Sequence, residues 1–317
     1  MTGSPREPLR AEQIAAAPAW EEGRLRLLVC VGGGRESEET LGFAIRIVKA
    51  LGGDLTILFV SEAVPPSVRD EVRLSREKLT QWETDIPGVT ALRHARDVLR
   101  EEGLLRVEAD GRPRVRHPLR ASAVGVFEVE LQGTYGESVH LRMREGEIAE
   151  EIRRETRAHP CDLLIIGAGT NRRLQHKLAQ FNEVSTLFVK NVRPQRYRFL
   201  VCTGGEPAGV TLAAFTARVA KALRIGVTVL SVDDLRQARG AAERWVERIS
   251  EVFEARGVEV RGVVRKGKLV RTIVETAGED HVIVIGRSHE PEIKKLFFGS
   301  RPIRVIQNAR CPVLHVV

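Results

Sequence analysis

The residues best suited to chemistry lie in a glycine-containing stretch near the C-terminus. Gly286 follows an apolar run, residues 282–285, whose length and β-branched content predict a buried strand. After a polar loop, Gly299 and Ser300 precede a helix-like segment, residues 303–306. Backbone N–H groups left unpaired at the positive end of a helix suit an anion such as phosphate. The glycines alone favour an ordinary strand-loop-helix connection, so their spacing has to decide.

The spacing resembles that of the universal stress proteins. The strand, the loop and the closing residues 309–317 resemble the C-terminal third of that family, whose nucleotide-binding members carry Gly-x-x-Gly, nine residues, and Gly-Ser or Gly-Thr. Gly286, Gly299 and Ser300 fall on this pattern, with nine residues between His289 and Gly299. His289 stands where the family pattern has its second glycine. The resemblance implies a site for an adenine nucleotide, ATP or AMP, with Mg²⁺.

An internal duplication defines the elements that must position this site. Shifting the sequence by 172 residues aligns residues 27–60 with 199–232 without a gap, and 13 of those 34 positions are identical. In each copy an apolar strand ends in glycines, and an amphipathic helix and a second strand follow. Such short connections predict a parallel, right-handed crossover unit.

The alternation of strands and helices continues to the ends of both copies. The predicted fold class is therefore α/β, with two doubly wound, Rossmann-like parallel-sheet domains. Ligands of such sheets bind at the carboxyl ends of the strands, where the direction of winding switches. The turn after the first strand and the turn after the fourth strand should therefore meet at the site.

The family resemblance assigns the nucleotide contacts to the second copy. It places adenine and ribose against the first-strand turn and the end of the second strand, and the phosphates against the glycine loop. Relatives that bind nucleotides usually carry an aspartate where this chain has Thr203, and Val31 in the first copy. The implied contacts are Thr203, Gly204, Gly205, Val232, Ile285, Gly286, Arg287, His289, Gly299, Ser300 and Arg301.

The first copy is predicted to be degenerate and structural. Gly167 and Gly169 follow its fourth strand, but no Gly-Ser pair appears, and this copy is about seven residues shorter at the place of the phosphate loop. The predicted domains are a mobile tail over residues 1–23, a first domain over 24–193 and a second domain over 194–317.

The first copy also carries an insertion, at about residues 88–137. A helix-like piece is followed by alternating apolar and polar residues on both sides of a Gly-Thr-Tyr-Gly turn, which predicts an extra β-hairpin. Pairing about this turn sets Glu128 opposite Arg142 and Val129 opposite Leu141, so the hairpin should extend and cover one edge of the sheet. The arginine-rich residues 112–120 are predicted to form a solvated edge strand or loop rather than an anion-binding or partner surface.

Composition bounds the function. The 317 residues are 43% hydrophobic and 29% charged, with no apolar run near the roughly 20 residues that span a bilayer, so a cytoplasmic protein without a membrane segment is expected. The net charge of +8 comes largely from arginine interleaved with glutamate, and aromatic residues make up 5%, which argues against a nucleic-acid partner. Four cysteines without Cys-x-x-Cys spacing predict buried, reduced thiols and no metal site.

Three functions remain open at this stage. The first is a tandem universal stress protein, a regulator or sensor of the stress response with an adenine nucleotide in its second domain. The alternative is a nucleotide-independent module for dimerisation and protein interaction, with an unknown protein partner. Its two copies would pair within the chain, or two chains would pair as a homodimer, through the final strands at residues 187–190 and 313–317. An enzyme is the third, at most a weak ATPase, because His289 and Glu290 have no identifiable catalytic partner.

Overall fold

The structure is a computed structural model, and it describes most of the chain after the N-terminal residues. The described residues are 24–32, 34–61, 87–123, 126–169, 171–181, 183–193, 197–203, 208–233, 240–286 and 301–317. The tail predicted over residues 1–23 lies outside them.

The described strands form one twelve-stranded, mostly parallel sheet. The first half of the chain contributes β1 (Arg26–Val31), β2 (Asp54–Ser61), β3 (Val115–Ala123), β4 (Val126–Gln132), β5 (Ser138–Glu145), β6 (Leu163–Gly167) and β7 (Thr186–Val189). Its helices are α1 (Arg35–Leu51), α2 (Pro87–Glu101), α3 (Ile148–Ala158) and α4 (Arg172–Phe181).

The second half repeats this arrangement without the insertion. Its strands are β8 (Arg198–Thr203), β9 (Val227–Asp233), β10 (Val260–Lys266), β11 (His281–Gly286) and β12 (Val313–Val316). Its helices are α5 (Ala208–Leu223), α6 (Ala241–Glu254), α7 (Leu269–Ala277) and α8 (Arg301–Asn308).

The strand order confirms two doubly wound domains. Across the sheet the order is β10, β9, β8, β11, β12, β7, β6, β1, β2, β5, β4 and β3. In the first half β1 is central and lies between β2 and β6. In the second half β8 is central and lies between β9 and β11, and all these pairs are parallel. The winding therefore switches direction beside β1 and beside β8.

The insertion forms the predicted hairpin. β4 and β5 pair antiparallel, with Glu128 opposite Arg142 and Val129 opposite Leu141, as the alternation indicates. β3 then adds antiparallel to β4 with several register shifts, so part of the arginine-rich segment is an edge strand, as expected. β4 and β3 thus cover the edge of β5, which itself pairs parallel with β2.

The two halves join through their last strands. β12 pairs antiparallel with β7, with Leu314 opposite Leu187 and His315 opposite Thr186. On its other edge β12 pairs parallel with β11, so both edges of the final strand are used within the chain. This arrangement supports the predicted pseudo-dimer and makes the strands of one half run opposite to those of the other.

Apolar cores lie on both faces of the sheet, and each core is shared by the two halves. One face contains Leu187 and Leu314 under α1 and α5, and the other contains Phe188 and Val313 under the helices α3, α4, α7 and α8. The alternation of buried side chains along β7 and β12 supplies both cores. Among the helices described, none combines the length and apolar content that crossing a bilayer requires.

A buried ion network lies between β5, β4 and α3. Arg142 Nη1 donates to Glu155 on α3, Arg142 Nη2 donates to Glu128 Oε1 at 2.9 Å, and Arg144 Nε donates to Glu155 Oε2 at 2.6 Å. Glu155 is only 1% exposed. Burial would raise the pKa of Glu128, but the hydrogen bond and charge of Arg142, aided by His140, lower that pKa below its ordinary value.

Candidate functional site

The candidate site of the second domain lies where β8, β9 and β11 end side by side. Thr203 ends β8, opposite Ser231 of β9, and Gly286 ends β11, which pairs parallel with the other edge of β8. Parallel neighbours end at the same edge of a sheet, so the first-strand and fourth-strand turns start at this switch point. The structure thus brings Thr203 and Gly286 to one place.

Two hydroxyl groups at this place have no partner. Thr203 Oγ1 and Ser231 Oγ are buried, and neither forms a hydrogen bond within the described part of the chain. The backbone of Gly209, in the first turn of α5, approaches Thr203 closely: a Cβ there would lie 3.2 Å from Thr203 Oγ1. A buried hydroxyl without a partner costs free energy, which makes both groups available to a ligand or an ordered water.

The other described residues of the predicted site surround this junction. Val232 and Ile285 are buried near the ends of β9 and β11. At Gly286 a Cβ would meet Leu212 Cδ1 at 3.5 Å, an ordinary contact. Arg301 is exposed at the start of α8, the helix that follows the predicted phosphate loop. The remaining predicted contacts lie outside the described residues: Gly204, Gly205, Arg287, His289, Gly299 and Ser300.

The equivalent place in the first domain is a well-formed cleft of about 570 Å³. Cys30 and Val31 of β1 and Ile166 of β6 line it at the carboxyl edge of the sheet, and Ile152 of α3 and Leu178 of α4 line its side. From its sequence this domain is predicted to be structural, because the phosphate loop is missing. The cleft shows that a cavity remains at the switch point nonetheless.

Acidic and amide groups line the polar end of this cleft. A Cβ at Gly169, in the loop after β6, would collide with the Glu36 carboxylate. Gln175 on α4 is 5% exposed, and its Nε2 donates to the carbonyl oxygens of Ala168 and Gly169. Its Oε1 has no partner among the residues that the structure describes. The Glu36 carboxylate beside the glycine loop disfavours a phosphate there, because like charges repel each other.

The duplication shows what differs at this point between the domains. In the alignment of the two copies, Glu36 corresponds to Ala208. The position of Glu36 therefore carries no carboxylate in the second copy. The aligned copies carry this difference, so the sequence alone holds a signal for it.

The cysteines are protonated thiols rather than reactive groups. All four are free, and burial raises the pKa of Cys161 to about 12 and that of Cys311 to about 11. Burial likewise raises the pKa of Cys30 and Cys202 far above that of an exposed thiol. Among the residues described, no group of histidine, cysteine and carboxylate side chains is arranged to hold a metal ion.

Comparison with protein families and solved structures identifies relatives over both halves. The model of the universal stress protein family matches residues 23–186 and 196–316. A universal stress protein from Archaeoglobus fulgidus DSM 4304 is 14% identical, with a TM-score of 0.59 over 92% of this chain and 95% of that chain. A putative universal stress protein from Pseudomonas aeruginosa UCBPP-PA14 is 16% identical, with a TM-score of 0.57 over 93% of each chain.

These two likenesses show that the two-domain fold is shared over more than nine tenths of each chain. A universal stress protein of Archaeoglobus fulgidus solved in complex with dAMP aligns with 38% of this chain and 98% of its own, at 21% identity and a TM-score of 0.32. No curated protein matches the chain significantly.

Proposed function

Because the chain belongs to the universal stress protein family as a tandem member, we propose that it acts as a regulator or sensor in the stress response. In this proposal the second domain binds an adenine nucleotide, ATP or AMP, and the first domain does not. Mg²⁺ would enter with the phosphates. The protein would respond to the nucleotide by binding it rather than by consuming it.

The observation that carries this proposal is the junction of Thr203 and Gly286 at the switch point of the second domain. The unpartnered hydroxyl of Thr203 offers a hydrogen bond to a ribose or an adenine edge. Val232 and Ile285 are buried apolar residues near the same strand ends. These described residues fit a nucleoside.

The phosphates are assigned to the loop that follows β11. Gly286, Gly299 and Ser300 keep the family spacing in the sequence, and the loop leads into α8, whose N-terminus favours an anion. Arg301 adds an exposed guanidinium at the first position of that helix. At the position aligned with Glu36 the second copy has Ala208, so this position brings no negative charge against a phosphate.

The test is isothermal titration of Mg-ATP and Mg-AMP into the full chain. We expect saturable binding at one site per chain, and its loss in Gly299→Glu. Thr203→Val keeps the shape of the side chain and removes the hydroxyl, so it should weaken binding about five- to tenfold, the value of one hydrogen bond.

A matched substitution in the first domain serves as the control. Gly34 lines the first-domain cleft, and a Cβ there meets no atom within 4 Å, so Gly34→Glu places the same side chain at an open position. It should leave nucleotide binding unchanged. Binding lost in Gly34→Glu and kept in Gly299→Glu would place the nucleotide in the first domain and contradict the proposal.

A second candidate function is a nucleotide-independent interaction module. The observation that favours it is the antiparallel pair of β3 and β4, which adds a surface to the first domain beyond the repeated fold. Titration without heat, from a chain whose melting is cooperative, would support this alternative. A homodimer through the final strands would have to displace the β7–β12 pairing, so solution scattering of a monomer is the expected result.

A further inference from the structure

A groove of about 950 Å³ lies over the seam between the two halves. This seam groove is bounded by α1 and α5 and has residues of β7 and β12 at its base, including Leu187 and Leu314. Its residues are separate from those of the nucleotide site and of the first-domain cleft. The volume is in the range of pockets that hold a drug-sized ligand.

The two sides of the seam groove are formed by positions that the duplication aligns with each other. The duplication aligns Phe43 with Phe215 and Ile47 with Val219, and all four side chains line the groove. Together with Leu187 and Leu314 they are each less than a tenth exposed, and none carries a polar group. The groove therefore has an apolar base along the pseudo-twofold axis, suited to a hydrocarbon chain.

The rim of the seam groove is basic. Among the described residues it is lined by Arg46, Lys49, Arg198 and Arg224, and by one carboxylate, that of Glu259. Lys49 pairs with Glu102 at 2.5 Å and Arg198 pairs with Glu259 at 3.2 Å. Arg46 lies over the Phe43 ring, 5.4 Å from its centroid.

Two guanidinium groups of the rim remain without a carboxylate partner. Within the described residues, neither Arg46 nor Arg224 forms an ion pair. A basic residue in the last turn of a helix is also expected from the helix dipole, which accounts for Lys49. Arg46 lies a turn before it, so the dipole explains Arg46 less well.

Arg224 occupies a backbone conformation that favours glycine. Its φ is 54°, in the left-handed region, directly after the end of α5. The aligned residue after α1 is Gly52, with φ 68°. The second copy thus carries an arginine, at a cost in backbone strain, where the first has the residue that fits without strain.

From the apolar base and the two rim arginines that form no ion pair among the described residues, Arg46 and Arg224, we infer that the seam groove binds one long-chain carboxylate. The hydrocarbon chain lies along the base between α1 and α5, and the carboxylate contacts Arg46 and Arg224. Charge complementarity selects this occupant: an anionic head group pairs with guanidinium groups that lack a carboxylate. This binding is independent of the nucleotide site.

Isothermal titration of the full chain with sodium dodecanoate, below its critical micelle concentration, tests the inference. We expect saturation at one dodecanoate per chain. Affinity should fall about fourfold for each methylene removed, the value of a buried CH₂. Dodecyltrimethylammonium, with the same chain and the opposite charge, should bind at least about tenfold more weakly.

Variants separate the apolar base from the rim. Arg46→Gln combined with Arg224→Gly should weaken dodecanoate binding at least about tenfold, because both guanidinium groups are lost. Ala222→Trp should abolish binding, because the indole fills the groove that Ala222 lines. Arg265→Gln, at an exposed position of β10, is the matched control and should bind as the unsubstituted chain does.

Three results would overturn the inference. One is the absence of saturable binding by a chain that melts cooperatively, and another is equal weakening in Arg265→Gln. The third is a chain that forms a dimer by sedimentation and binds no dodecanoate, with the dimer lost in Ala222→Trp. In that case the seam groove holds a second copy of the protein instead.

Discussion

At the scale of single residues, the two copies differ most informatively at aligned positions. Glu36 stands against the glycine loop of the first domain, where the second copy has Ala208. Gly52 ends the first helix of one copy, and Arg224 takes its place in the other. Each change alters charge at a cavity without altering the fold. The sequence predicts Thr203 and Gly286 at the junction because neighbouring parallel strands end at the same edge of a sheet. It does not predict which side chain lies against Gly169.

The left-handed backbone at Arg224 leads to a prediction about stability. Arg224→Gly and Arg224→Ala remove the same guanidinium, but only glycine adopts a φ of 54° without strain from a Cβ. We expect the glycine variant to exceed the alanine variant by about 1 kcal/mol in free energy of unfolding. Urea denaturation measures the difference. Equal midpoints for the two variants would show that the backbone there relaxes.

At the scale of elements, the hairpin shows what alternation can and cannot predict. The pairing of Glu128 with Arg142 followed from the turn and the period of two. The burial of the charged face did not, because it depends on α3, whose Glu151 and Glu155 cover that face from a later part of the sequence. Long-range packing of charged residues leaves no periodic pattern to detect.

The buried network predicts a large effect from one carboxylate. Glu155→Ala leaves the guanidinium groups of Arg142 and Arg144 buried with fewer partners, so the free energy of unfolding should fall by about 3–5 kcal/mol. Glu275→Ala breaks an exposed i,i+4 pair with Arg271 and should lower the free energy of unfolding far less, because solvent screens an exposed ion pair. Urea denaturation of both variants is the measurement. Similar losses would mean that water or another group compensates in the network.

At the scale of the whole molecule, the seam unites the halves into one sheet with two shared cores. The family resemblance implied pairing through the last strands, residues 187–190 and 313–317, and the structure supports it. The seam groove was not predicted, because its lining comes from distant parts of the sequence: residues 43–50, 163, 187, 197–199, 215–226, 259, 282 and 314. Only the folded chain brings these segments together.

Shared cores predict coupled unfolding of the two domains. Hydrogen exchange followed by mass spectrometry should show β1 and β8 opening in one common transition. Leu314→Asp places a carboxylate against Leu187 in the core and should separate the transitions of the two halves. Leu92→Asp, on α2 and away from the seam, should destabilise the chain while its transitions stay coincident. A single transition in Leu314→Asp would contradict this coupling.

The covalent link across the β7–β12 seam has a consequence for how the molecule behaves on dilution. Separate domains that pair through their last strands fall apart when their concentration drops below the dissociation constant, whereas tethered domains keep a fixed local concentration of their partner. The pairing of this chain therefore persists at any abundance in the cell. The stoichiometry of the two halves is fixed as well. Every molecule contains one half with Glu36 and one half with Arg224, so the two different halves are always present in a one-to-one ratio.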